Sequence, residues 1–241
     1  MQEEVNYTSA FFIILLLFVL LYFSVGTIFL LLSNLLVKKN YAGRVSFRPH
    51  FENQLLYEIK HGVFATIIFA GYGVLIVWLF RNHVLQINHT NDIMILTDLL
   101  ILAIWNEIHF YLVHRLMHTK LFLPFHTVHH KSVVVTPFSA YSFHPIESLL
   151  NGSVMIIPMF FHDFEFVALL ILPVYSIILN MAGHSNVKIY AFTKLKTALH
   201  MSSRHNAHHS KFNVNFGFAS PIMDFLFTRK KSEPRQQKNK L

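Results

Sequence analysis

The stretch IMILTDLLILAIWNEIHFYLVHRLMH, Ile93 to His118, decides how the rest of the chain is read. Its apolar part, Ile93 to Val113, is close to the roughly 20 residues that a bilayer crossing needs. It ends in two histidines four apart, His114 and His118, which share a face if the helix continues. A membrane span that delivers paired imidazoles to its end is therefore the unit from which to work outward.

Two similar apolar runs precede it, Phe11 to Leu32 and Val63 to Phe80. The first is too long for a signal-peptide core, and Glu3 and Glu4 stand where a basic leader would be, so it reads as a retained span. After it, Ile146 to Ala182 holds two apolar arms broken by FHDFE, Phe161 to Glu165, with Pro158 and Pro173 inside them. Short arms interrupted by proline predict a hairpin rather than two full spans. The expected fold is all-α: a polytopic membrane protein of about four transmembrane helices under a histidine-rich helical cap. Composition agrees, with 54% apolar and 13% charged residues in 241 and a mean hydropathy of +0.45, which excludes an ordinary soluble domain. No internal repeat or linker divides the chain, so residues 1–241 are read as one membrane-embedded domain with a basic tail at 230–241.

Lys38, Lys39, Arg44 and Arg48 follow the first span, and the positive-inside rule places that loop in the cytoplasm. Alternation then carries Arg115 to Pro145 and His184 to Leu241 to the same side. The net charge of +8 reads as the same orienting bias, and no nucleic-acid partner is expected from it.

Those cytoplasmic segments hold most of the histidines. His126, His129 and His130 have the spacing H-x-x-H-H, which His205, His208 and His209 repeat. Positions i, i+3 and i+4 lie on one helix face, so each box is expected to present three imidazoles in one direction. With His114 and His118 this makes eight, more than the roughly three to five that one ion uses, so two metal ions are implied. His144, before helix-starting Pro145, and His184, where the hairpin returns, bring the set to ten. His109 lies about half a turn from the His114 face and is left out. His50, His61, His83, His89, His162 and His200 show no box spacing and read as interfacial or surface groups.

The chain has no cysteine, which excludes thiolate ligands, iron–sulfur clusters and disulfides, so any metal is held by nitrogen or oxygen. No H-E-x-x-H supplies the base of a zinc peptidase. Imidazole alone suits zinc, copper, iron and nickel alike. Iron with O2 beside a bilayer fits cleavage of an unactivated C–H bond in a lipid. The alternative is a metal-binding or metal-transporting membrane protein without redox chemistry, though a transporter would place its ligands near the bilayer midplane.

HRLMH, HTVHH and RHNAHHSKFNVNFGFASPIMDFLFTR resemble the three histidine boxes of the fatty acid hydroxylase and sterol desaturase superfamily of integral-membrane diiron enzymes. FHPIE, GHSNV and the ending NFG with Asp224 and Phe227 extend the resemblance, which covers roughly residues 107–229. It implies a four-helix anchor, two iron ions bound by the histidines, O2 as co-substrate, and hydroxylation or desaturation of a lipid, sterol or related apolar substrate. It also implies an external electron donor such as cytochrome b5 or a ferredoxin, since no G-x-G-x-x-G fingerprint is present. Lys188, Lys194, Lys196, Lys211 and the tail offer that donor, or lipid headgroups, a basic face. The membrane implied is the endoplasmic reticulum or a bacterial inner membrane. The chain departs from the pattern at Asn180, where some members carry a histidine four before the equivalent of His184. Either His144 supplies the missing ligand or the site is one ligand short.

Overall fold

A computed structural model describes residues 6–89, 92–189, 201–217 and 219–227; the tail 230–241, Lys194, Lys196 and His200 lie outside them. The apolar runs form α1 (Tyr7–Lys38), α2 (Gln54–Arg81) and α3 (Asp92–Met117). The hairpin forms α5 (Pro145–Met159) and α6 (Phe166–Gly183), after a short α4 (Leu123–His130) and a 3-10 turn at Pro137–Tyr141. Beyond it come α7 (Met201–Lys211) and α8 (Ile222–Phe227).

Four helices, α1, α2, α3 and α6, are long and apolar enough to cross a membrane. Helix α5, at 15 residues, is about 22 Å long and falls short of a ~30 Å hydrocarbon core. The hairpin therefore has one arm, α6, that is helical over a full crossing, and one, α5, that reaches the opposite end only together with the non-helical residues 160–165. Leu16, Leu20 and Leu31 of α1 and Leu96 and Leu100 of α3 are exposed, as side chains that face lipid should be.

Two small pairings set the sidedness of the loops relative to one another. Strand β1 (Ala42–Arg44) pairs antiparallel with β2 (Val187–Ile189), so the α1–α2 loop and the segment after α6 share one end of the bundle. At the opposite end Asn88 bridges Glu165, joining the α2–α3 loop to the hairpin turn. All three histidine boxes lie at the β1–β2 end.

Close packing beneath that end depends on small residues and on one buried carboxylate. A Cβ at Gly62 of α2 would collide with the ring of Tyr22 from α1, which is fully buried there. The Tyr22 hydroxyl donates to the Phe138 carbonyl at 3.0 Å, and its ring lies against those of Phe138 and Tyr141. Glu58, fully buried in α2, accepts from Gln54 Nε2 (2.7 Å), Ser132 Oγ (2.7 Å) and Thr136 Oγ1. Three donors on one carboxyl group satisfy oxygens that would otherwise be costly to bury, and they pin the loop that follows α4 onto α2.

Candidate metal centre

Nine of the ten expected histidines converge, in two groups. One nitrogen from each of His114, His118, His126, His130 and His208 lies within 4.8 Å of the others, and His129, His184, His205 and His209 form a second set by the same measure. The expectation that each box points in one direction is corrected here. On α4, His126 and His130 join the first group and His129 the second; on α7, His205 and His209 join the second and His208 the first. Successive helix positions are about 100° apart, so the neighbours in each H-x-x-H-H box diverge enough to serve separate ions. Both triplets thus straddle both sites, in opposite senses.

Four of the nine rings have their orientation set by a partner on the far nitrogen. Nδ1 of His114 donates to the Phe216 carbonyl (2.8 Å), His184 to the Asn180 carbonyl (2.8 Å), and His208 to the Val214 carbonyl (2.7 Å). Nδ1 of His126 meets Glu147 Oε1 at 2.8 Å, both groups being buried. A carbonyl can only accept, so on His114, His184 and His208 Nδ1 carries the hydrogen and Nε2 is left as a lone pair.

The Nε2 atoms of three of these rings, His126, His184 and His208, lie close to those of other histidines in the same group. His208 Nε2 lies 3.1 Å from His118 Nε2 and 3.0 Å from His130 Nε2, and His130 Nε2 is 3.1 Å from that of His126. In the second group His184 Nε2 is 2.9 Å from His205 Nε2 and 3.4 Å from His129 Nε2. Protonation is opposed by desolvation: burial pushes His184 and His208 down to about 4, while burial and then the charges of His208 and Arg115 push His118 down to about 3. Neutral imidazoles with converging lone pairs repel unless a cation sits among them, so the donor set fits a transition-metal ion in each group.

Residues 214–217 supply two of the carbonyls, and they and residues 219–224 are themselves tied down. Asp224 accepts from the backbone N–H of Phe216 and of Gly217, both at 2.9 Å. Arg204 donates to the carbonyls of Gly217 (3.1 Å) and Ser220 (2.8 Å), and Glu107 of α3 accepts from the N–H of Ala219 (3.2 Å) and Ser220 (3.1 Å). A Cβ at Gly217 would meet the Ser220 carbonyl at 2.8 Å, which explains the glycine of NFG. Glu147, Glu107 and Arg204 were not singled out from the sequence as parts of the site. Their signal is weak there, because each is an ordinary charged residue until the fold places it against a ligand or its support.

His144 is in neither group. It is the N-cap of α5: its Nδ1 accepts from the Ile146 N–H at 3.2 Å, and its ring lies 4.8 Å from that of Phe125. Proline at the first helical position directs the preceding side chain into capping, which removes the one spare imidazole. The second group accordingly has four histidines, and Asn180 contributes its backbone carbonyl to His184. We expect His144→Ala to retain the metal content of the wild type and to lose about 1 kcal/mol of stability, measured by metal analysis and thermal unfolding. His109 also lies outside both groups, its Nε2 2.9 Å from Ser153 Oγ.

A narrow space of about 10 Å³, room for roughly one water-sized molecule, is lined by His114 and His126 of the first group and His129 and His184 of the second. Phe110, Phe143, Asn151 and Asn180 line it too, and the same four line a larger cavity of about 430 Å³. That cavity descends between α1, α2, α3, α5 and α6 along aliphatic and aromatic side chains, as far as Ile87 and Phe166 near the opposite end of the bundle.

Four helices able to cross a membrane, two groups of converging histidines and an apolar cavity beneath them define a membrane protein with a candidate metal centre. The chain belongs to the fatty acid hydroxylase family, whose profile matches residues 99–229, more than half of it. It is 29% identical over 119 residues to the Delta(7)-sterol 5(6)-desaturase ERG3 of Saccharomyces cerevisiae, covering 48% of this chain and 31% of that protein. The Delta(7)-sterol 5(6)-desaturase of Eremothecium gossypii is 26% identical over 188 residues, 73% of this chain and 51% of the relative. The very-long-chain aldehyde decarbonylase GL1-1 of Oryza sativa subsp. indica is 30% identical over 128 residues, 48% and 21% respectively. The chain thus spans between about a fifth and about half of the length of these relatives. No solved structure matches it.

Proposed function

We propose that this protein is an O2-dependent oxidoreductase that hydroxylates or desaturates a lipid, sterol or related apolar molecule, using two iron ions. The observation that carries the reading is the contact between the two all-imidazole groups and the apolar cavity, through a space that admits about one small molecule. His114, His118, His126, His130 and His208 would hold one ion and His129, His184, His205 and His209 the other. When bound, such a pair supplies the reductive activation of O2 that cleavage of an unactivated C–H bond requires.

The remaining work falls to the chain's own residues. The carbonyls of Phe216, Asn180 and Val214 and the carboxylate of Glu147 hold four rings with Nε2 inward. Phe110 and Phe143 narrow the passage and limit water at the reacting carbon. The cavity binds the apolar substrate by removing its surface from water or lipid. Hydroxylation inserts one oxygen atom of O2 into C–H and reduces the other to water; desaturation removes two hydrogens and reduces both oxygens to water. Each consumes two electrons and two protons, so an external one-electron carrier such as cytochrome b5 or a ferredoxin is part of the proposal. The positive-inside bias of Lys38, Lys39, Arg44 and Arg48 supports a cytoplasmic position for the histidine end, and so for the donor.

Metal analysis of the detergent-purified protein should give two irons per chain, one for each histidine group. Comparing the lipids of cells with and without the gene should reveal an O2-dependent product. Zinc as the sole metal, with no such product, would overturn the reading.

A further inference from the structure

The apolar cavity is not apolar at its upper end. Three asparagines line it, one from each of α3, α5 and α6: Asn106, Asn151 and Asn180. Asn180 lies four residues, about 6 Å along the helix, below His184, and Asn151 lies the same distance below Glu147. Asn106 lies eight residues, about 12 Å, below His114. The three amides therefore stand one to two helical turns beneath the metal centre, where the cavity narrows toward it.

Their hydrogen bonding is incomplete. Asn106 is only 4% exposed, yet among the described residues its side chain forms no hydrogen bond. The Asn151 amide likewise has no partner among them. Asn180 Nδ2 donates to the Ser176 carbonyl at 2.8 Å, which leaves Oδ1 as an acceptor. Beside them Ser153 gives its hydroxyl hydrogen to the Leu150 carbonyl at 2.7 Å, so His109 must donate Nε2–H to Ser153 Oγ and keep a lone pair on Nδ1. An amide that faces an apolar cavity inside a bilayer without a partner is costly unless something in the cavity completes it. No Lys, Arg, Asp or Glu lines the cavity, so the completing group is uncharged.

We infer that Asn106, Asn151 and Asn180 form a polar clamp for an uncharged oxygen function, a hydroxyl or carbonyl, close to the carbon that is oxidised. The substrate enters head first, its hydrocarbon part filling the cavity toward Ile87 and Phe166. Oxidation then falls near the polar end of the molecule and not in the middle of a hydrocarbon tail. A carboxylate, or an acyl thioester whose bulky head must stay outside, does not meet this geometry.

This rests on the larger cavity being the substrate site, and the test is direct binding to the full-length protein in nanodiscs, without reductant. The probes are a long-chain primary alcohol, the matching n-alkane and the matching carboxylate, each radiolabelled. The alcohol should bind about tenfold more tightly than either of the others. Asn106→Leu should abolish most of that preference, leave alkane binding and metal content as they are, and raise the unfolding temperature, since an unpartnered amide has been removed. Asn151→Leu should lose the preference in the same way. Equal binding of alcohol and alkane by the wild type, tighter binding of the carboxylate, or an undiminished preference in both variants would overturn the clamp. Binding here needs neither iron nor O2. A protein that holds zinc and forms no product would refute the proposed activity while leaving this result to stand or fall separately.

Discussion

His129→Ala is expected to lose activity by more than about 100-fold, beyond the roughly 10- to 100-fold that follows removal of a group merely supporting a ligand. The second group has only four histidines, and removing one leaves three. His129 Nε2 is also the contact from α4 to His184, at 3.4 Å, so its loss disconnects that helix from the second site. Metal analysis should show the content falling from two ions per chain toward one, with the protein still inserted, since the spans do not depend on this side chain. His208→Ala should be the milder of the two in metal content, because the first group retains four imidazoles. Wild-type activity with a full complement of metal in His129→Ala would end the two-site assignment.

Glu147→Leu is expected to lower activity and metal affinity by about 10- to 100-fold, although the residue is in neither histidine group. Its Oε1 accepts from Nδ1 of His126, and both side chains are nearly inaccessible, so no water replaces the bond. Without it the His126 ring loses both its orientation and the tautomer that leaves Nε2 free. Glu147→Gln keeps an acceptor oxygen in place and should retain much more activity than the leucine variant. Equal loss in both would mean that the charge, and not the hydrogen bond, is what matters. The comparison is read from turnover together with metal titration of each purified variant.

The distinction between His129 and Glu147 also marks where the sequence stops being informative. Spacing alone identified eight of the nine histidines that the structure brings together, all but His184, because helix geometry is local: residues four apart share a face whatever surrounds them. The spans were legible for a similar reason, since a bilayer demands an uninterrupted apolar length that no tertiary contact can supply. His144 looked equivalent to His184 as a lone histidine beside the hairpin. They differ because His144 precedes Pro145 and caps a helix start, whereas His184 closes a helix end and turns into the centre.

By itself the sequence determined that this is a membrane protein of about four spans with clustered imidazoles at one end. It also determined that those imidazoles exceed the needs of a single ion. Only the tertiary structure decided how the boxes are divided. The helix fixes the angle between His129 and His130, but which angle meets which site depends on where α3, α6 and α7 stand around α4. Those positions are set by contacts between distant segments: Glu58 with Thr136, Glu107 with Ser220, β1 with β2. The same holds for Asn106, Asn151 and Asn180, which are 45 and 29 residues apart in the chain and become one feature only when three helices pack around a common cavity. Local periodicity sets the direction of a side chain; what it meets in that direction is a long-range property of the packed bundle.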